Sequence, residues 1–363
     1  MAKNGGPIRG ADAHQGRPVT IQAVAKAAGV STATVSRVMT GNSSVRADLA
    51  ARVRQVADEL GYRPNPAAQR LASGVSETIG VVVPNLANPY FYDVIKAMNT
   101  AAAAQGYQML IADSNEDPDQ ELPLSRSLLR QADGLVLLSP RMPVASLRVL
   151  AQDAAPVLMV NRVVVGVGLP TVAVDNHSAM LEICGHLAML GHRRVVYLAG
   201  PEHSWQNTER QRAADQSPAF GLQLTSVTAG STIGAGHAAV DRALELKPTA
   251  LVCFNDLVAF GALARLQELG LRVPDDVSLT GFDDIPFSGY ASPPLTTAVS
   301  PQLALGQRAW QVIHQMIDGK EPDDTPLLKA EVVIRHSTAA PSVCGHVASP
   351  QPDLTGQTGV AAG

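Results

Sequence analysis

Aromatic side chains are scarce in this sequence: six Phe, six Tyr and two Trp, together 4% of 363 residues. Because 46% of the residues are apolar, a sizeable core is still possible, but aliphatic and alanine packing must build it. Cysteine is rarer still. Cys184, Cys253 and Cys344 lie too far apart for a disulfide framework, a zinc site or a redox motif. Cys253 sits in an apolar run and reads as a core residue. His177, His186 and His192 do not share a helix face, so they do not read as metal ligands. No uncharged apolar run approaches the ~20 residues that span a bilayer. The opening MAKNGGPIRGADAHQGRP lacks the hydrophobic stretch of a signal peptide. A cytoplasmic, nucleoid-associated protein without a membrane partner is expected. No GxGxxG follows the first strand-like run, and GSTIGAG at residues 230–236 matches no phosphate loop. No cofactor and no catalytic centre are expected.

Charge is present but unevenly placed. The whole chain carries −4, which argues against a polyanionic partner. Residues 1–74 reverse the sign, with ten Lys/Arg against four acids, a net +6. The remainder holds 18 basic and 28 acidic residues, a net −10. A basic head on an acidic body fits a phosphate-binding module joined to something that does not bind DNA.

Inside the basic head, IQAVAKAAGVSTATVSRVMT (residues 21–40) places Val24, Ala25, Ala28, Val30, Val35 and Val38 so that two short helices each bury one face. Gly29 stands between them, where a sharp turn needs positive φ. Ser31 is suited to cap the second helix. The pair predicts a helix-turn-helix, whose second helix enters the DNA major groove. A third helix is expected in VRADLAARVRQVADELG, with Leu49, Val53, Val56 and Leu60 as its apolar stripe. After Gly61 comes YRPNPAAQRLASG. There Asn65 and Pro66 can start a helix of about eight residues, too short to be stable alone in water. Leu71 is its one large apolar side chain. It is suited to wedge into a minor-groove step if the segment folds on DNA.

These stretches, followed by IGVVVPNLANPYF, resemble the lactose-repressor (LacI/GalR) family of bacterial transcription regulators. The resemblance runs from about Val19 to about Thr338. It implies a headpiece over residues 19–64, a hinge over 65–75 and two periplasmic-binding-protein-like lobes. The first lobe would take residues 76–175 and 304–328, the second 176–303 and 329–340. Residues 1–18 and 341–363 are read as tails. By that resemblance Thr32, Ala33 and Arg37 correspond to base readers, and Ser31, Thr34, Ser36 and Asn42 are phosphate-contact candidates. Arg37 can offer a bidentate fork to guanine. Asn65, Ala68 and Leu71 belong to the hinge at the operator centre. The family also implies a homodimer on a palindromic double-stranded operator, under allosteric control.

The body supports the lobes independently. From Thr78 onward, short β-branched runs alternate with amphipathic helices in two successive series. That pattern means parallel sheets covered on both faces, two Rossmann-like α/β lobes with a cleft between them. Helix LALGQRAWQVIHQMIDG and strand LLKAEVVIRH are expected to cross back, one to each lobe. Ligands sit beyond the carboxyl ends of such strands, where this sequence places amides and carboxylates. The resemblance maps the effector site onto Phe91, Asn161, Arg162, Arg210, Asn255 and Asp283, and Trp205 is a further stacking candidate. That set suits a sugar or polyol better than a nucleoside.

Overall fold

The computed structural model describes residues 19–39, 45–63, 76–323 and 326–342. It divides into two compact units, Met1–Ser76 and Glu77–Gly363.

The first unit holds α1 (Ile21–Ala28), α2 (Thr32–Met39) and α3 (Ala47–Glu59). The Thr20 hydroxyl caps α1, accepting from the Ala23 amide at 3.4 Å. Gly29 ends it at φ +68°, and the Val30 amide reaches back to the Ala25 carbonyl at 3.0 Å. Such a left-handed exit is the turn that only glycine makes without strain. Ser31 caps α2 as expected, its hydroxyl accepting from the Thr34 amide at 3.2 Å. The core is small and aliphatic, with Val24, Ala28, Val35, Val38 and Val53 at its centre. One expectation is corrected. Of the expected stripe on α3, Val53 is buried and Val56 packs against the core, but Leu60 is 40% exposed and Ala50 and Ala57 complete the buried row. Alanines let the three short helices approach closely, so the helix turns its smaller row inward rather than its leucines.

The second unit contains two sheets. The first is formed by β1 (Thr78–Val83), β2 (Gln108–Asp113), β3 (Gly134–Leu138), β4 (Val157–Val160) and β5 (Thr171–Val172). Its order is β2-β1-β3-β4-β5 and every pairing is parallel. Helices α4 (Tyr90–Ala103), α5 (Pro118–Leu129) and α6 (Val144–Leu150) make the crossovers. The second sheet comprises β6 (Arg194–Ala199), β7 (Gln223–Thr228), β8 (Ala250–Cys253), β9 (Ser278–Asp283), β10 (Thr296–Val299) and β11 (Glu331–Val333). Its order is β7-β6-β8-β9-β10-β11, with only β11 antiparallel. Its helices are α7 (Asn176–Met189), α8 (Trp205–Ala214), α9 (Ile233–Glu245) and α10 (Asp256–Glu268).

Both sheets repeat one topology, so the chain reverses direction between β1 and β3 and again between β6 and β8. Each reversal leaves a crevice at the strands' carboxyl ends. Strands β2 and β7, each at the edge of its sheet, are largely exposed. Helix α11 (Gln302–Ile317) packs on α4, β3 and β4 of the first sheet, while β11 pairs with β10 of the second. Close helix crossings rest on glycine. A Cβ on Gly306 would overlap the Val94 carbonyl of α4, and one on Gly261 of α10 would overlap the Ile233 carbonyl of α9. Cys184 and Cys253 are buried in the core.

Candidate functional site

On the headpiece, burial of Val35 and Val38 fixes which way α2 faces. Ser31, Thr32, Ala33 and Arg37 are left exposed, and Thr34 and Ser36 are half-buried. The Ser31 and Thr34 hydroxyls also bond each other at 3.0 Å, so both serve the cap and remain at the helix N-terminus, where anions are favoured. Asn42, Asn65, Ala68 and Leu71, with the whole expected hinge at 65–75, lie outside the described residues.

Between the two lobes of the body is a small cavity of about 30 Å³. Phe91, Asn161, Arg210, Asn255 and Asp283 all line it. Phe91 enters from the start of α4 and meets Tyr90 edge-on, with ring centroids 5.1 Å apart. Asn161 follows β4 at φ +57°. It donates to the Tyr90 hydroxyl at 2.5 Å and accepts from the Val174 amide at 3.2 Å. Asn255 caps α10 through the Val258 amide at 2.9 Å, and its amide group donates to the Ser231 carbonyl at 3.1 Å. It is therefore both a cap and a lining residue.

Arg210, on α8, is the most heavily engaged group. Its Nε and Nη2 donate to Asn176 at 3.2 and 2.8 Å, its Nη1 to the Phe254 carbonyl, and its Nη2 to Asp283 at 3.4 Å. The guanidinium also lies over the Phe282 ring, 3.5 Å from its centroid. Asp283 ends β9 with φ at 105°. Burial raises its carboxyl to about 7, against the opposing pull of the Arg210 charge. A carboxyl poised there can accept or donate a hydrogen bond to a ligand hydroxyl.

Two side-chain bonds join the walls across the cavity. The Ser231 hydroxyl, after β7, donates to Glu116, after β2, at 2.6 Å. The Gln206 amide on α8 donates to the Ser139 hydroxyl after β3, also at 2.6 Å.

Two expected residues do not line the cavity. Arg162 points its Nη1 at the Pro140 and Met142 carbonyls, at 3.0 and 2.6 Å. It braces the loop after β3 instead of facing the cleft. Trp205 opens α8, but Gln206 and Arg210, one helical repeat apart, form the row that faces inward. Trp205 falls on the adjacent row, about 100° away around the helix. The apolar face comes from Phe91 and Phe254. The sequence pattern passes over Tyr90, Arg141, Asn176, Gln206 and Ser231 as ligand-facing groups. Tyr90 adjoins Phe91 and Ser231 follows a Gly turn, but nothing local marks Arg141 or Asn176.

The family model described as "Bacterial regulatory proteins, lacI family" matches residues 20–65. The one described as "Periplasmic binding proteins and sugar binding domain of LacI family" matches residues 76–333. This chain belongs to the LacI family. The HTH-type transcriptional repressor CytR of Escherichia coli K12 is 33% identical over 88% of this chain and 96% of its own length. Among solved structures, the lac repressor dimer bound to operator and the anti-inducer ONPF gives a TM-score of 0.80 at 28% identity, covering 89% of this chain and all of the other. A complex of the transcriptional regulator CelR with cellobiose gives 0.65 at 26% identity, covering 88% of this chain and all of the other. As a LacI-family member, the chain is a DNA-binding transcriptional regulator with an effector-binding body, and not an enzyme. No helix among the described residues is long and apolar enough to cross a membrane.

Proposed function

We propose that this regulator is a repressor that binds a palindromic operator as a homodimer and answers to a sugar-like, polyhydroxylated effector. The observation that carries the effector reading is the ring formed by Asn161, Arg210, Asn255 and Asp283 against Phe91 and Phe254. Amides and a poised carboxyl can pair with hydroxyls of either sense, while the phenyl rings cover an apolar sugar face. The cellobiose complex of the CelR regulator supports a polyhydroxylated effector, and the operator complex of the lac repressor dimer supports a dimer on DNA. Thr32, Ala33 and Arg37 are the proposed base readers, with Ser31, Thr34 and Ser36 toward the phosphates. One headpiece offers few contacts, and a two-fold dimer doubles them on a palindrome.

Control follows from differential affinity. The Ser231–Glu116 and Gln206–Ser139 bonds hold only when the walls are close, so a ligand that prefers this arrangement shifts the population of body conformations. DNA affinity changes by the same coupling free energy. A gel shift on the DNA upstream of the regulated gene, with sugars, polyols and nucleosides added in turn, tests the proposal. A hydroxylated compound is expected to change the midpoint, and Asp283→Ala to abolish that change. A response that survives Asp283→Ala would place the effector elsewhere, and a response to nucleosides alone would change its class.

A further inference from the structure

Two arginines line the cavity, and they differ in one respect. Every guanidinium nitrogen of Arg210 has a protein acceptor. Arg141, 7% exposed, has its Nε and Nη1 buried without any hydrogen-bond partner. Its Nη2 makes a long ion pair with one oxygen of Glu116 at 3.6 Å, outside hydrogen-bond range, while the other oxygen accepts the Ser231 hydroxyl. A desolvated guanidinium with unfilled donors is costly and rare.

The loop that presents Arg141 is fixed from both sides. The buried Glu121 carboxylate accepts the Arg141 amide at 2.8 Å and the Met142 amide at 2.7 Å. Arg162 holds the carbonyls of Pro140 and Met142, the residues either side. The backbone at residue 141 therefore cannot swing its side chain out to water without breaking these four hydrogen bonds. Such bracing is how a binding group is held ready for its ligand.

Resting on the assignment of this cavity to the effector, we propose that the effector carries an acidic group, a carboxylate or a phosphate, and that Arg141 is the residue that binds it. Hydroxyls alone could occupy the open N–H positions, but an anionic oxygen makes the stronger, charge-assisted bond for which a guanidinium is suited.

Matched probes separate this proposal from the reading beneath it. Glucose, glucuronate and glucose 6-phosphate differ only at C6, and galactose, galacturonate and galactose 6-phosphate form a second such series. Thermal shift and titration calorimetry on the full chain should show an acid of one series binding about ten- to a hundredfold tighter than its neutral parent. Preference for the carboxylate or the phosphate member identifies the acidic group. Arg141→Gln should remove that preference, and Arg141→Lys should restore part of it, since the charge returns without the fork. A neutral sugar that binds as tightly as its acids overturns the acidic effector and leaves the sugar effector standing. So does an acid whose affinity is the same in Arg141→Gln. If no member of either series binds, the acid proposal falls with the sugar reading, and should Arg141→Gln fail to fold, the neutral–acid comparison in the parent chain decides alone.

Discussion

The headpiece and the cleft keep their chemistry on opposite sides of the surface. On α2 the proposed readers Thr32, Ala33 and Arg37 are exposed above a core of Val24, Val35 and Val38. In the body the lining groups Asn161, Arg210 and Asp283 are 2–7% exposed. The contrast follows from the ligands. A duplex brings a dense field of phosphates and presents base edges in a groove, so a rigid surface with solvated side chains suffices. A small uncharged or singly charged molecule offers little beyond its hydrogen bonds, and those gain strength only where water is excluded. Substitutions at the surface should therefore alter binding alone, whereas those in the cleft should alter stability as well.

The hardest test of that division is Arg210→Ala. It removes the counterion of Asp283 and leaves Asn176 and the Phe254 carbonyl without their donor. Breaking a buried pair on one side costs about 3–5 kcal/mol, so urea denaturation should show a large drop in midpoint together with loss of ligand response. A fully stable Arg210→Ala would mean that the cleft is wet and the contrast overstated. Gly261→Ala comes next. The added methyl would overlap the Ile233 carbonyl where α10 crosses α9, for a loss of about 1–3 kcal/mol typical of overpacking. Since Gly261 is not a lining residue, effector affinity should change far less than stability. Arg37→Ala reverses the pattern. Operator affinity should fall by about 1–3 kcal/mol, the worth of a good base contact, with a far smaller effect on stability. Equal loss on operator and random DNA in a gel shift would reassign Arg37 to a phosphate.

The same contrast explains what the sequence could and could not reveal. The headpiece works through local rules, so Gly29, Ser31 and the alternation of buried valines with exposed polar residues are visible in one short stretch of chain. Strand order in the body is legible too, because apolar runs such as TIGVVV and GLVLLS have the length and β-branching of buried strands. The cleft is assembled from residues distant in the chain. Asp283 and Asn255 stand at strand ends and could be located by topology. Arg141 could not, since its meaning depends on Glu121 and Arg162 arriving from different elements to brace its loop. Trp205 misleads for a related reason. A large aromatic at a helix start near a strand end suggests stacking, yet which row of α8 faces inward is decided by the docking of Arg210 on Asn176 and Asp283. The inward stripe of α3 departs from the apolar periodicity because alanine and leucine compete for a close three-helix junction.

The gentlest probe of the buried cleft is pH. Asp283 is raised to about 7 by burial, whereas in the unfolded chain it titrates as an ordinary aspartate. Between these values the native state holds a proton that the unfolded chain has lost, so stability falls as pH rises through the folded value. Asp256, raised to about 6, acts in the same sense at lower pH. His186 and His192 act oppositely, because burial lowers both and stability recovers as pH climbs toward the ordinary histidine range. The histidine effect is not finished at pH 6.5, where an ordinary histidine in the unfolded chain is still about half protonated, so it offsets Asp283 up to about pH 7.5. The Asp283 contribution is therefore read as a difference: from about pH 6.5 to about 8 the ligand-free parent should lose just under about 1 kcal/mol relative to Asp283→Asn, measured by urea denaturation at fixed ionic strength. Asp283→Asn keeps the shape, tolerates the positive φ and has nothing to titrate at that position. An unchanged slope in Asp283→Asn would show that the cavity admits enough water to leave Asp283 an ordinary carboxylate, and the inside–outside distinction between the two regions would lose its electrostatic half.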